Sequence, residues 1–338
     1  MTFLYLHCEA QIQVDLVANK NQIRLVKVSG ATQTDTLAVY KLGGSRAILG
    51  SWEYKQEIHF FRPVLSLSAG IDYIVYRNDR PTHSFKLPKE DVIAPTITAF
   101  FPSADTVPEN LLKCYVQFSK PMREKDLYSY ITVSDGQGKE VREVILPLEP
   151  ALWNEDRTML TFWIDPGRVK RGLKRNRRLG APITEGESYT FAISENWQSA
   201  DGAPLGTPWQ KTFYVAARTE KLAEPQNWQV IPPKTGTTDP LTMIFPQNMD
   251  YLTTLSGFTI LKDGIAQKGT AEMGNGEKRW LFQPSKPWVT GTYTIEITPS
   301  IEDLAGNSLL RPFDRDLQKQ EAASKPASHQ LSFTITGE

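Results

Sequence analysis

The middle and final thirds of this chain pass through the same landmarks in the same order. A repeat of that kind dictates a series of like folding units. Phe118-Ser-Lys-Pro-Met122 returns as Phe245-Pro-Gln-Asn-Met249. The strand and turn Ile131-Thr-Val-Ser-Asp-Gly136 return as Phe258-Thr-Ile-Leu-Lys-Asp-Gly264, and Met159-Leu-Thr-Phe162 as Arg279-Trp-Leu-Phe282. Gly186-Glu-Ser-Tyr189 is matched by Gly291-Thr-Tyr293, and Ala200-Asp-Gly-Ala-Pro-Leu205 by Leu304-Ala-Gly-Asn-Ser-Leu309. Each copy closes on a strand pattern, Lys211-Thr-Phe-Tyr-Val215 and Leu331-Ser-Phe-Thr-Ile335. The N-terminal part echoes only the second half of the pattern. There Ile58-His-Phe-Phe-Arg-Pro63 precedes Gly70-Ile-Asp-Tyr73, and His83-Ser-Phe-Lys-Leu87 closes the run.

The period inside each copy is that of strands. Ile23-Arg-Leu-Val-Lys-Val28 and Tyr293-Thr-Ile-Glu-Ile297 alternate apolar and polar residues, which places one face in a core. Asp135-Gly136 and Asp263-Gly264 read as hairpin turns, where positive φ is cheapest. Only 122–130 and 316–325 have the pattern for a helical turn or two. The predicted class is all-β: three tandem Ig-like β-sandwich domains. A length of 338 residues fits two or three domains of ordinary size. Polar, proline-bearing stretches at 89–95 and 218–227 set the expected boundaries, giving domains at 11–91, 92–219 and 220–338.

At these landmarks the chain resembles bacterial Ig-like domains of the surface-layer (SbsA) type, through the Phe-Ser-Lys-Pro-Met strand end, the Gly-x-Tyr-Thr strand and the Asp303-Leu-Ala-Gly-Asn307 turn. Over roughly 45–315 it is similar to a group of uncharacterised extracytoplasmic bacterial proteins with tandem Ig-like units. The stretches that carry this include Pro108-Glu-Asn-Leu-Leu112, Asp165-Pro-Gly-Arg-Val-Lys-Arg-Gly-Leu173 and Arg311-Pro-Phe313. The resemblance implies a fold and a secreted setting, and it implies no activity. The opening residues agree with export: apolar Phe3–Leu6 and the small Ala10 before Gln11 resemble the tail of a secretory signal, 1–10, whose apolar core would lie upstream. An ordinary first strand is the alternative.

Charge and motif content exclude several functions. Lys plus Arg and Asp plus Glu both number 38, a zero balance unlike a dedicated nucleic-acid binder. No run approaches the ~20 apolar residues of a membrane span. Two cysteines and four histidines are too few for a zinc cage, and no nucleophile elbow, zincin motif or phosphate-cradling loop is present. No cofactor and no metal are expected. Asp303 reads as the cap of a turn in which Gly306 takes positive φ, because a calcium loop needs alternating oxygen ligands that the turn lacks.

One charged feature stands out. Arg168, Lys170, Arg171, Lys174, Arg175, Arg177 and Arg178 fall within residues 168–178, with no acid from Gly167 to Thr184. They are the candidate ligand-binding residues. The competing reading is a solvated loop whose charges pair with acids of a neighbouring unit. Trp163 and Trp288 are the candidate platforms for stacking a sugar, set against simple core packing. The expected function is a non-enzymatic extracytoplasmic structural or binding protein, a spacer or docking rod. Its expected partner is a protein or cell-envelope polysaccharide, and the molecule is expected as a monomer. A carbohydrate-binding accessory protein and a hydrolase with carboxylates at an inter-domain cleft are the alternatives.

Overall fold

The computed structural model describes residues 11–19, 22–88, 93–314 and 329–337. The proposed signal remnant at 1–10, with Cys8, and the helical stretch at 316–325 lie outside the described residues. The chain divides into two compact units, 1–92 and 93–338. The first holds one β-sandwich and the second holds two.

All three sandwiches share one topology. Taken in chain order, the first, second, fifth and fourth main strands form one sheet, and the third, sixth and seventh form the other. That is the pairing of a constant-type immunoglobulin fold. In the first sandwich these strands are Gln13–Asn19, Gln22–Ser29, Leu37–Lys41, Gly50–Lys55, Ile58–Pro63, Tyr73–Arg77 and Arg80–Phe85. In the middle one they are Ile97–Phe101, Lys113–Phe118, Ile131–Asp135, Ile145–Leu146, Met159–Ile164, Ser188–Ile193 and Trp209–Ala216. In the last they are Gln229–Ile231, Leu241–Ile244, Phe258–Lys262, Gly269–Gly274, Arg279–Pro284, Gly291–Ile297 and His329–Ile335. A short strand, Thr106–Pro108, adds in parallel to the edge of Trp209–Ala216.

The repeated landmarks occupy equivalent places. The amides of Phe118 and Phe245 donate to the carbonyls of Thr158 and Lys278, and those of Met122 and Met249 to Arg157 and Glu277. Each copy therefore leaves its second strand and ties to the entry of its fifth in the same way. The Gly-x-Tyr landmark has a physical cause. At the head of the sixth strand, the hydroxyls of Tyr73, Tyr189 and Tyr293 accept the backbone N–H groups of Ser68, Thr184 and Val289, at 3.0, 3.2 and 3.3 Å. This tyrosine corner staples the loop to the sandwich in all three units.

Alternating residues fill three separate cores, centred on Val26, Phe61 and Val75, on Val116, Phe162 and Phe191, and on Met243, Trp280 and Ile295. Of the two expected hairpins, Asp263-Gly264 is a two-residue turn with φ of 53° and 76° between paired Lys262 and Ile265. Asp135-Gly136 differs. Its positive φ falls at Gly138, and the Asp135 carboxylate accepts the amides of Gln137 and Lys139. The expected turn at 122–130 is a single 3-10 turn, Leu127–Tyr130.

The middle and last sandwiches are not joined merely by a short polar linker. The last packs onto the outer face of the middle sheet that contains Ile97–Phe101 and Lys113–Phe118. Tyr115 and Lys113 point away from their own core, yet Tyr115 is buried, because it donates to Asp250 Oδ2 at 2.6 Å. Phe101 stacks on Tyr251 at 3.5 Å. Leu304 of the last sandwich belongs to the middle core, and its carbonyl accepts the Leu112 amide at 2.9 Å.

Candidate functional site

The basic segment folds into two short helices, α1 (Pro166–Val169) and α2 (Lys174–Leu179), after the fifth strand of the middle sandwich. Asp165 starts α1: its carboxylate accepts the Gly167 amide at 2.9 Å, and Pro166 takes the first helical position, where a missing N–H is harmless. Arg175 returns from α2 to the same carboxylate at 2.7 Å and also reaches Glu143 at 3.0 Å.

The seven cations of the segment have different fates. Arg168 is only 6% exposed, and its guanidinium donates to the carbonyls of Arg142, Glu143, Leu179, Gly180 and Ala181. Burial lowers its pKa, opposed by the nearby Asp165 and Glu143 carboxylates. The five donors of an arginine fork suit that role, which stitches three stretches of backbone together. Arg171 pairs with Asp314 at 3.2 Å and with Glu220. Lys170 sits over the Phe313 ring at 4.2 Å. Those two cations therefore help bind the last sandwich to the middle one, as does Arg218 between Glu109 and Asp314. Lys174, Arg177 and Arg178 remain. All three are exposed, and among the described residues no carboxylate pairs with them.

The two tryptophans singled out as sugar platforms sit elsewhere. Trp288 is 2% exposed, its indole N–H donates to Asp239 O at 2.8 Å, and its ring lies in the last core. That burial leaves no ring face for a sugar. Trp163 is half-buried on the outer face of its strand, opposite the buried Phe162, with the Lys113 ammonium 5.7 Å from its ring centre.

Carboxylates do gather between the middle and last sandwiches, and each is occupied. Asp250 accepts from Tyr115 and caps helix α3 (Tyr251–Leu255) through Thr253, by its amide at 3.1 Å and its hydroxyl at 2.8 Å. Glu302 holds Lys113 at 2.7 Å. Burial would depress Lys113, but Asp250 and Glu302 outweigh it and leave its pKa raised. Glu277 accepts the Ser103 amide at 2.9 Å, and burial raises its pKa. Asp303 accepts the amides of Ala305 and Asn307, both at 2.9 Å, and Gly306 takes a φ of 76°. Burial lifts the Asp303 carboxyl to about 6. Asn307 reaches Thr219 O at 3.1 Å, which also accepts from Asn110. These groups assemble a junction, where Asp303 also lines a pocket of about 190 Å³ with Thr219, Gln247 and Asn248. Among the described residues no group of His, Cys, Asp and Glu is placed to hold a metal ion. Cys114 is buried and unpaired, and burial pushes its thiol well up.

Sequence reasoning offered the pairing of basic-loop charges with a neighbouring unit, as Arg171 does with Asp314, but missed the buried contact around Tyr115. One signal was present: Cys114-Tyr115-Val116 puts three apolar residues in a row where a strand with one wet face would alternate.

No family model matches the chain, and no curated protein matches it. Among solved structures it is similar to the I9–I11 tandem of titin, at 13% identity and a TM-score of 0.24, over 86% of this chain and 97% of that one. It is similar also to the FN1–FN3 domains of chicken CNTN1, at 11% identity and 0.21, over 97% and 99%. A third is alpha-2-macroglobulin from Escherichia coli spanning domains MG0-NIE-MG1, at 10% identity and 0.24, over 72% and 71%. These overlaps are loose, and the fold stands on the sheet pairings above. No helix among the described residues is long and apolar enough to cross a membrane.

Proposed function

We propose that this is a non-catalytic extracytoplasmic binding protein that holds helix α2 out to an acidic macromolecular partner, a protein surface or a cell-envelope polysaccharide. The division into domains 11–91, 92–219 and 220–338 belongs to the same reading, and every main strand of each sandwich falls within its span. One observation carries the proposal. Arg168, Lys170, Arg171 and Arg175 are engaged within the protein, whereas Lys174, Arg177 and Arg178 are exposed and unpaired among the described residues. Exposed cations act over only about 8 Å at physiological salt. A rigid mount that brings three of them together is therefore what makes the patch effective. Arg168 and the Arg175–Asp165 pair supply that mount.

The test is titration of the full chain with polygalacturonate and with poly-glutamate at low and physiological salt. Binding should weaken with salt and disappear when Lys174, Arg177 and Arg178 are all changed to Glu. Equal binding by the triple variant, or none by either protein, rejects the proposal. Extracytoplasmic placement is checked separately by fractionating the source cells and sequencing the N terminus of the natural protein. An intact Met1 in the cytoplasmic fraction rejects that part.

A further inference from the structure

The middle sandwich carries a second unassigned surface. Behind the 3-10 turn Leu127–Tyr130 lies a groove of about 710 Å³, a size that accommodates several side chains. Its floor is apolar: Leu127, Tyr128 and Leu148. Its rim is acidic, with Glu124, Asp126 and Glu149 against the single cation Lys125. None of the three acids has an ion-pair partner among the described residues. The groove wall is pinned, because the Tyr128 hydroxyl accepts the Leu148 amide at 3.0 Å and donates to the Leu148 carbonyl at 3.3 Å.

Helix α2 is the chemical complement of that groove. Lys174, Arg177 and Arg178 stand at i, i+3 and i+4, which share one helix face. Leu173 and Leu179 bracket them and are 45% and 36% exposed. One surface offers leucines among unpaired cations, and the other an apolar floor among unpaired acids. Within one molecule no ion pair joins the two among the described residues. Lys113 pairs with Trp163 and Gln117 with Met159. Helix α1 follows the end of that fifth strand beyond Ile164; one groove wall follows Phe118 and Met122 at the other end, and the second wall, 147–151, follows Leu146, which pairs with Trp163.

We infer that the acidic partner of α2 is a second copy of this chain, whose groove between the 3-10 turn and residues 147–151 receives the helix. This rests on the proposed role of α2 and names its partner. Because the helix and the groove are different patches, the contact is heterologous and repeats head to tail, closing into a ring or running on as its rotation dictates. One six-residue helix in one groove buries less than the ~1,000 Å² of a stable interface. The association is therefore weak and grows with concentration, in place of the monomer that the sequence led us to expect.

Sedimentation velocity on the full chain, from micromolar to about 1 mM, tests this. The weight-average mass should rise with concentration and fall with added salt. Lys174→Glu, Arg177→Glu and Arg178→Glu together should hold the chain monomeric, and so should Glu124→Lys, Asp126→Lys and Glu149→Lys together. Mixing the two triple variants should restore association, because every helix again finds a groove of opposite charge. That restoration also shows that both variants are folded. A wild-type chain that stays monomeric throughout overturns the inference, as does association untouched by either triple variant or a mixture that stays monomeric. A monomeric chain that still binds polygalacturonate through α2 leaves the proposed function standing without a self-partner. A chain that does neither loses both.

Discussion

Asp303 accepts two backbone amides and the Asn307 side-chain amide while only 2% exposed. Among the described residues no cation pairs with it, so burial dominates and lifts its carboxyl from the ordinary 3.8 to about 6. The sign follows from proton counting. Between about pH 4 and pH 6 the folded protein binds more protons than the unfolded chain, so this group's stabilising contribution is full below pH 4 and is lost as pH rises through 6. The loss is at most about 3 kcal/mol, from about two pKa units. Urea midpoints measured across that range should fall for the wild type and flatten for Asp303→Asn. A parallel fall in both would assign the slope to Glu277, which burial shifts in the same direction. At this scale the sequence is least informative. Arg168 and Arg178 look alike in a run of cations, yet one is buried under five carbonyls and the other is exposed.

Turns show which local signals suffice. Asp263-Gly264 was legible because a two-residue hairpin wants positive φ at both positions and its residues tolerate it. The first sandwich makes the same turns from Gln56-Glu57 and Asn78-Asp79, with φ between 49° and 63°. Glutamine and glutamate carry no turn signal, so the flanking strand pairs impose that conformation. Gly264 and Gly306 share a φ of 76° but differ in surroundings. A Cβ on Gly264 would meet open space, and one on Gly306 would run into Leu112 of the middle sandwich. Gly264→Ala should destabilise by about 1 kcal/mol, the backbone effect alone. Gly306→Ala should destabilise by about 2–4 kcal/mol, because overpacking adds to the same backbone effect. Chemical denaturation of the two variants checks this, and equal losses would mean that the turn does not press on its neighbour.

Across the second unit, two sandwiches with separate cores behave as one body. Leu304 completes the middle core, Tyr115 is covered by Asp250, and Arg218 joins Glu109 to Asp314. Neither sandwich can open fully without exposing groups that the other had satisfied. Hydrogen exchange on the full chain should therefore show the slowest amides of Lys113–Phe118 and Gly291–Ile297 opening with the same free energy. Tyr115→Phe removes one donor from the buried Asp250 carboxylate, which keeps Thr253 and Lys113, and should lower both values together, by about 1–3 kcal/mol. A drop confined to one sandwich would show that the junction does not couple them.

Strand period, tyrosine corners and the order of landmarks were all written in the chain. They arise from backbone geometry and from the two-residue alternation of side chains, which neighbours along the chain express without outside help. The repeat therefore sufficed to announce Ig-like sandwiches. The junction and the free face of α2 were decided only in three dimensions. Whether a charge is paired, or an outward tyrosine covered, depends on groups such as Asp250 and Glu143, which approach only after the chain has folded. Coulomb attraction and desolvation act through space, and the order of residues does not encode those distances.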